Sequence, residues 1–175
     1  EKFSLPTCIL ESKTYNDLKK SGHSKPFEHK NRVVICSYNF AAAKAQEIRM
    51  QHWDLVVIDE AHRLRNVYKT SNKTAKAIAE ATAHSPKLLL TATPLQNSLM
   101  ELYGLVSVID DHVFGDAMSF RMQFLRGMDE DARNDGLKER LKPICTRTLR
   151  KQVLEYVNFT ERVPLTEKFV PTDEE

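Results

Sequence analysis

Two adjacent carboxylates, Asp59 and Glu60, follow directly on the apolar run Leu55-Val56-Val57-Ile58. Such a pair has a chemical use. One carboxylate can hold a hard divalent cation, usually through water, because Mg2+ gives up its hydration reluctantly. The other can orient and deprotonate an attacking water. Phosphoryl transfer needs both functions together with charge clamps on the phosphate. The dipeptide by itself reads equally well as the start of the next segment, since acids favour a helix N-terminus.

The surrounding elements decide what stands near that pair. Three short apolar runs stand out: Val33-Val34-Ile35-Cys36, Leu55-Val56-Val57-Ile58 and Leu88-Leu89-Leu90. Continuous runs of this length are how parallel strands read when both faces are covered. A weaker run, Thr7-Cys8-Ile9-Leu10, is a candidate fourth strand. Between them lie helical patterns at Ala41–Met50 and Asn72–Ala83, the second with Ala75, Ile78, Ala79 and Thr82 on one face. Alternating strand and helix predicts an α/β fold with right-handed crossovers. The three strong runs are expected as neighbours in one parallel sheet. Ligands bind at the carboxyl ends of such strands. Those ends carry Ser37-Tyr38, Asp59-Glu60 and Thr91-Ala92-Thr93-Pro94, so one edge gathers carboxylates, hydroxyls and His62.

After residue 97 the pattern is helical only. Leu99, Leu102, Tyr103, Val106 and Ile109 form a stripe, in which Gly104 suggests close packing. Met118–Leu125, Ala132–Leu141 and Arg147–Val157 also read as helices, and Arg162–Thr172 reads as an extended connector.

Composition excludes several classes. The net charge is only +2, with 41% hydrophobic and 29% charged residues, the balance of a soluble globular protein. Cys8, Cys36 and Cys145 form no C-x-x-C pair and no disulfide framework, so a reducing compartment is the simplest reading. No apolar run is long enough to span a bilayer, and no leader pattern opens the chain. Both termini read as cuts through a larger protein.

Longer strings sharpen the reading. Asp59-Glu60-Ala61-His62, inside Trp53 to Asn66, resembles the DEAH form of the Walker B box in SWI/SNF-type ATPases of helicase superfamily 2. Leu90-Thr91-Ala92-Thr93-Pro94-Leu95-Gln96-Asn97 resembles motif III of that family, with Ala92 where most members have Gly. Glu101-Leu102-Tyr103 fits as well, and Ile35-Cys36-Ser37-Tyr38 resembles motif Ib. Pro143, Arg147, Arg150 and Val153 match a later family segment more loosely. The wording around the motifs resembles bacterial members.

The resemblance implies a RecA-like, P-loop-type lobe that is incomplete here. It implies residues 1–109 as the later part of the first ATP-binding lobe, 110–157 as a helical protrusion, and 158–175 as a connector toward a second lobe in cis. It implies that Asp59 contacts the Mg2+ of ATP through water and that Glu60 activates the hydrolytic water. His62 would link that site to motif III. Thr91, Ala92 and Thr93 would couple hydrolysis to movement along double-stranded DNA, supported by Gln96 and Asn97. A bacterial parent would lie in the cytoplasm on the nucleoid, a eukaryotic one in the nucleus. A further protein partner such as a polymerase is left open.

One part is missing. None of Gly22, Gly104, Gly115, Gly127 and Gly136 fits G-x-x-x-x-G-K-S/T, the loop whose N–H groups hold phosphates. The chain alone is therefore expected to be inactive, with neither ATP nor Mg2+ bound. His23, His29, His52, His84 and His112 have no ligand spacing, and Trp53 reads as packing. Arg140, Lys142, Arg147, Arg150 and Lys151 read either as a solvated face or as a DNA-backbone contact. Two other functions remain open: another DEAH-type helicase or restriction motor, and an interaction module without chemistry. Pro94-Leu95-Gln96-Asn97 argues against the first, and intact Asp59, Glu60, His62 and Thr93 argue against the second.

Overall fold

The computed structural model describes residues 4–29, 31–126, 129–148 and 165. They fold as alternating strands and helices and then as helices alone, as the pattern predicts. The order is β1 (Thr7–Ile9), α1 (Ser12–Lys20), β2 (Val33–Ile35), α2 (Tyr38–Ala43), α3 (Ala45–Arg49) and β3 (Val56–Ile58). A 3-10 turn (Ala61–Leu64), α4 (Lys73–Ala81), β4 (Lys87–Leu89), α5 (Leu99–Ile109), α6 (Ala117–Phe124) and α7 (Glu130–Leu141) follow. The chain forms two compact units, Glu1–Gly136 and Leu137–Glu175.

The strands pair in parallel, but not as a single ladder. β1 pairs with β2 in the register Thr7–Val33, Cys8–Val34 and Ile9–Ile35. β3 pairs with β4 in the register Val56–Lys87, Val57–Leu88 and Ile58–Leu89. Among the described residues no ladder joins β2 to β3, so the expected three-strand neighbourhood is replaced by two pairs. Strands of three residues offer few ladder bonds, and side-chain packing joins the pairs instead. Ile58, Ala61, Leu64, Ala75, Ile78, Leu105 and Val108 form one core cluster, with Val56 and Leu89 against it. Leu10, Tyr15, Phe27, Phe40, Ile48 and Ala81 form the other, with Cys8 and Val34 against it. Ala41 of α2 packs against both.

Local chemistry explains the helix limits. The Ser37 hydroxyl accepts the Phe40 N–H at 3.3 Å and starts α2 three residues earlier than expected. The predicted 41–50 helix breaks at Lys44, whose φ of −112° and ψ of 19° leave the helical region. The Lys44 ammonium lies 3.8 Å from the Tyr15 ring centroid and 3.4 Å from the Glu47 carboxylate. Asn72 caps α4 by accepting the Ala75 N–H at 3.1 Å, and Ala75, Ile78 and Thr82 are buried as the stripe predicts. At the other end of α4, Lys87 donates to the carbonyls of Thr82, Ala83 and Ser85 at 2.9, 3.2 and 3.1 Å. A cation there satisfies helix-end carbonyls and complements the dipole. Helix α1 has no counterpart in the sequence reading, because only Tyr15 and Leu18 interrupt its polar run.

Helix α5 is buried on more sides than its stripe suggests: Met100, Tyr103, Leu105, Val106 and Val108 are all covered. Tyr103 also meets an aromatic group formed by Phe114, Phe120 and Phe124, with neighbouring ring centroids 4.9 to 5.8 Å apart. α6 and α7 lie where helices are expected. Of the helix expected from Arg147 onward, Arg147 and Thr148 are non-helical, and 149–157 lie outside the described residues. The connector 162–172 also lies outside them, apart from Leu165.

Candidate functional site

The site forms where β3 and β4 end together. The pairing continues beyond the strands: Leu90 N–H donates to the Ile58 carbonyl and Ala61 N–H to the Leu90 carbonyl, each at 2.9 Å. This sets Asp59-Glu60 beside Leu90-Thr91 on one edge, as the parallel reading predicts. Both carboxylates are exposed, His62 and Thr91 are half-buried, and Ala92, Thr93, Gln96 and Asn97 are exposed.

Glu60 has a left-handed backbone, with φ 49° and ψ 44°. For a residue other than glycine or asparagine that conformation costs on the order of 1–2 kcal/mol and needs support from outside. Asp59 Oδ1 accepts the Glu60 N–H at 2.9 Å. Tyr38, the first residue of α2, donates its phenol hydrogen to the carbonyls of Asp59 and Glu60 at 2.8 and 3.2 Å. The Arg63 guanidinium lies over the Tyr38 ring, 4.4 Å from its centroid. Burial pushes the Tyr38 phenol up; Arg63 opposes this, while Asp59 and Glu60 add to it. Tyr38 therefore stays a protonated donor at neutral pH. The Glu60 carboxylate lies 3.1 Å from His62 Nδ1, an ion-pair distance when the imidazole is protonated.

The second loop is organised separately. The Thr91 hydroxyl accepts the Thr93 N–H at 3.2 Å. Gln96 and Asn97 are held by Glu101 of α5, whose Oε2 accepts both backbone N–H groups at 3.0 Å. Its Oε1 accepts the Asn97 side-chain amide at 3.1 Å. Arg65, after the carboxylate segment, donates from Nη2 to Gln96 Oε1 at 2.8 Å, and its Nε lies 3.8 Å from Glu101 Oε1. Burial works against the Glu101 charge. The Asn97 and Gln96 donors and Arg65 outweigh it and hold the carboxyl below its ordinary range.

The structure thus gathers Asp59, Glu60, His62 and Thr91 at one strand edge and ties Gln96 to the same segment through Arg65, while Asn97 is held by Glu101, the ion-pair partner of Arg65. Glu101 is the residue the sequence reading passes over. It appears there only as part of Glu101-Leu102-Tyr103, and its signal is an acid inside an apolar helical stripe. In the basic cluster Lys142 and Arg147 are exposed and Arg140 is half-buried; Arg150 and Lys151 lie outside the described residues.

Comparison with known proteins fits this arrangement. A family model described as the SNF2-related domain matches residues 2–168. The Arabidopsis thaliana protein "Chromatin remodeling 4" is 28% identical over 149 residues, which is 85% of this chain and 6% of that protein. An ISWI chromatin-remodelling complex ATPase of Saccharomyces cerevisiae is 31% identical over 69% of this chain and 11% of its own length. Chromodomain-helicase-DNA-binding protein 6 of Rattus norvegicus is 35% identical over 71% of this chain and 4% of its own. The chain thus spans about a tenth or less of the length of these relatives. The Sulfolobus solfataricus SWI2/SNF2 ATPase core, solved in complex with double-stranded DNA, shares the fold. Its TM-score is 0.63 at 21% identity, over 83% of this chain and 28% of that one. The bacterial origin expected from the motif wording finds no support, since the three sequence relatives come from a plant, a yeast and a mammal. The chain belongs to the SNF2-related domain family.

Proposed function

We propose that this chain is part of the ATP-hydrolysing motor of a DNA-dependent ATPase that moves along double-stranded DNA. The observation that carries the reading is the Asp59-Glu60 pair at the end of β3, with His62 Nδ1 3.1 Å from the Glu60 carboxylate and Thr91 alongside. Asp59 and Glu60 offer only hard oxygen donors, both exposed to solvent, which suits Mg2+ bound through water. Asp59 would hold the ion. When bound with ATP, Mg2+ neutralises charge on the phosphates.

Glu60 takes the proton of the attacking water. The His62 imidazole stands beside the Glu60 carboxylate and would pair with it when protonated, and Tyr38 steadies the Glu60 backbone. Thr91, Ala92 and Thr93 form the neighbouring loop that senses the change, with Gln96 and Asn97 behind it. Nothing in this chain has the pattern of a phosphate-cradling loop, so ATP binding and turnover belong to the full-length protein with both lobes. We keep 1–109 as lobe core, 110–157 as protrusion and 158–175 as connector within this proposal. No helix among the described residues is long and apolar enough to cross a membrane. The relatives named for chromatin remodelling favour a nuclear protein.

The test is Glu60→Gln in the full-length protein. Gln keeps the shape and can bond water but cannot take its proton. DNA-stimulated hydrolysis should fall about 10²–10⁴-fold while ATP binding persists. Asp59→Asn should weaken nucleotide affinity as well. Near-normal turnover in Glu60→Gln would remove Glu60 as the base.

A further inference from the structure

Glu101 is the only charged side chain buried among the described residues, with 6% of it exposed. A buried carboxylate is costly unless it is paired and fully hydrogen-bonded. It stands three residues after Ser98, the residue that starts α5. In an S-x-x-E start, the acid ordinarily turns back to the N–H of the serine position and caps its own helix. Here it reaches past Ser98 and accepts the N–H groups of Gln96 and Asn97 at 3.0 Å and the Asn97 amide at 3.1 Å. Its acceptor capacity goes to the loop.

Its cation comes from the other motif. Arg65 Nε stands 3.8 Å from Glu101 Oε1, and Arg65 Nη2 donates to Gln96 Oε1 at 2.8 Å. The same helix face lies directly against the Arg65 backbone: a Cβ on Gly104 would lie 2.0 Å from the Arg65 carbonyl oxygen. Glu101 and Gly104, three residues apart, are neighbours on α5. Arg65 thus packs its main chain against α5 and sets its guanidinium beside that helix's carboxylate, which also accepts the Gln96 and Asn97 N–H groups.

We infer that Glu101 is a positioning residue whose buried carboxylate, paired with Arg65, keeps the Gln96-Asn97 loop in register with the segment carrying Asp59 and Glu60. The consequence for turnover rests on the assignment of Glu60 above; the consequence for loop order does not.

The experiment measures amide hydrogen exchange at Gln96 and Asn97 and steady-state ATPase in the full-length protein, as wild type, Glu101→Gln and Asn97→Ala. Glu101→Gln removes the charge and one acceptor at constant shape. Exchange at Gln96 and Asn97 should quicken about tenfold while amides within 99–109 keep their protection. The DNA-stimulated kcat should fall with KM for ATP unchanged. Asn97→Ala, on the exposed loop, removes one bond without leaving a buried charge unpaired. It should quicken exchange at the same two amides by a smaller factor, and it serves where Glu101→Gln fails to fold. Unchanged exchange at Gln96 and Asn97 overturns the proposal. Faster exchange with unaltered kcat overturns the role in turnover. Faster exchange in the variants, when the wild-type protein itself shows no ATPase activity, leaves the loop register standing and removes the proposed function instead.

Discussion

The Tyr38 phenol donates to the carbonyls of both Asp59 and Glu60, at 2.8 and 3.2 Å, and so holds the carboxylate pair from the first residue of helix α2, outside the β3–β4 ladder. The bond bears on the left-handed Glu60 backbone. Tyr38→Phe keeps the ring beneath Arg63 and removes only the donor. It should lower the unfolding free energy by about 1 kcal/mol, the usual net worth of such a bond. In the full-length protein it should also lower kcat for ATP with little change in KM, because Glu60 loses its orientation and not its charge. Urea melts and steady-state kinetics check both; an unchanged kcat would mean that Glu60 is oriented by Asp59 and His62 alone.

Gly104 carries a second prediction. A Cβ there would meet the Arg65 carbonyl oxygen at 2.0 Å and the Tyr68 ring at 3.2 Å. The obstacle is backbone, not the tip of a flexible side chain, so helix and turn must part. Ala would gain roughly 1 kcal/mol of helix propensity over Gly. Overpacking typically costs about 1–3 kcal/mol and here should exceed that gain. Gly104→Ala should therefore lower the thermal midpoint, and a rise would show that α5 and Arg65 do not meet this closely.

The strand-helix alternation, the parallel direction and the shared edge of Asp59 and Thr91 were legible because period and apolar runs are local signals. Gly104 was legible as a point of close packing, although Arg65 as its neighbour was not. Three features were hidden for physical reasons. Among the described residues no ladder joins β2 to β3, and strand pairing between distant segments is a tertiary feature that no single segment encodes. Helix α1 carries too few apolar residues to show a period. The role of Glu101 is a tertiary exchange: an acid that sequence assigns to its own helix start is taken by a loop and by an arginine 36 positions away.

The strands leave one face of each ladder bare. Ile9 is 63% exposed, Val57 53% and Leu88 46%, with Val33, Ile35, Leu55 and Leu90 also exposed. Parallel sheets are ordinarily covered on both faces, and apolar surface of this kind drives association. The isolated chain should bind a hydrophobic dye and self-associate with rising concentration. Val57 and Leu88 are register partners on that face. Val57→Glu with Leu88→Lys should return it to a monomer by analytical ultracentrifugation. A wild-type chain that stays monomeric and dye-free would show the face to be covered in solution.

Acid should loosen the same structure through Glu101. Its carboxyl is held below the ordinary range despite burial, because Asn97, Gln96 and Arg65 favour the charged form. A carboxyl with a lowered folded pKa stabilises fully above its unfolded value, about 4.3 for Glu. That stability is lost as pH falls through the lowered value. Glu101→Gln removes this linkage. At neutral pH the variant should be less stable than wild type by roughly 1.5–3 kcal/mol, the range for a hydrogen-bonded charge. As pH falls below the unfolded pKa, wild type should lose stability faster than the variant, and the two should converge. Urea midpoints measured from neutral pH to strong acid check this. A difference that stays constant across the series would mean that the Glu101 carboxylate contributes shape alone, and its charge would have no part in holding Gln96 and Asn97.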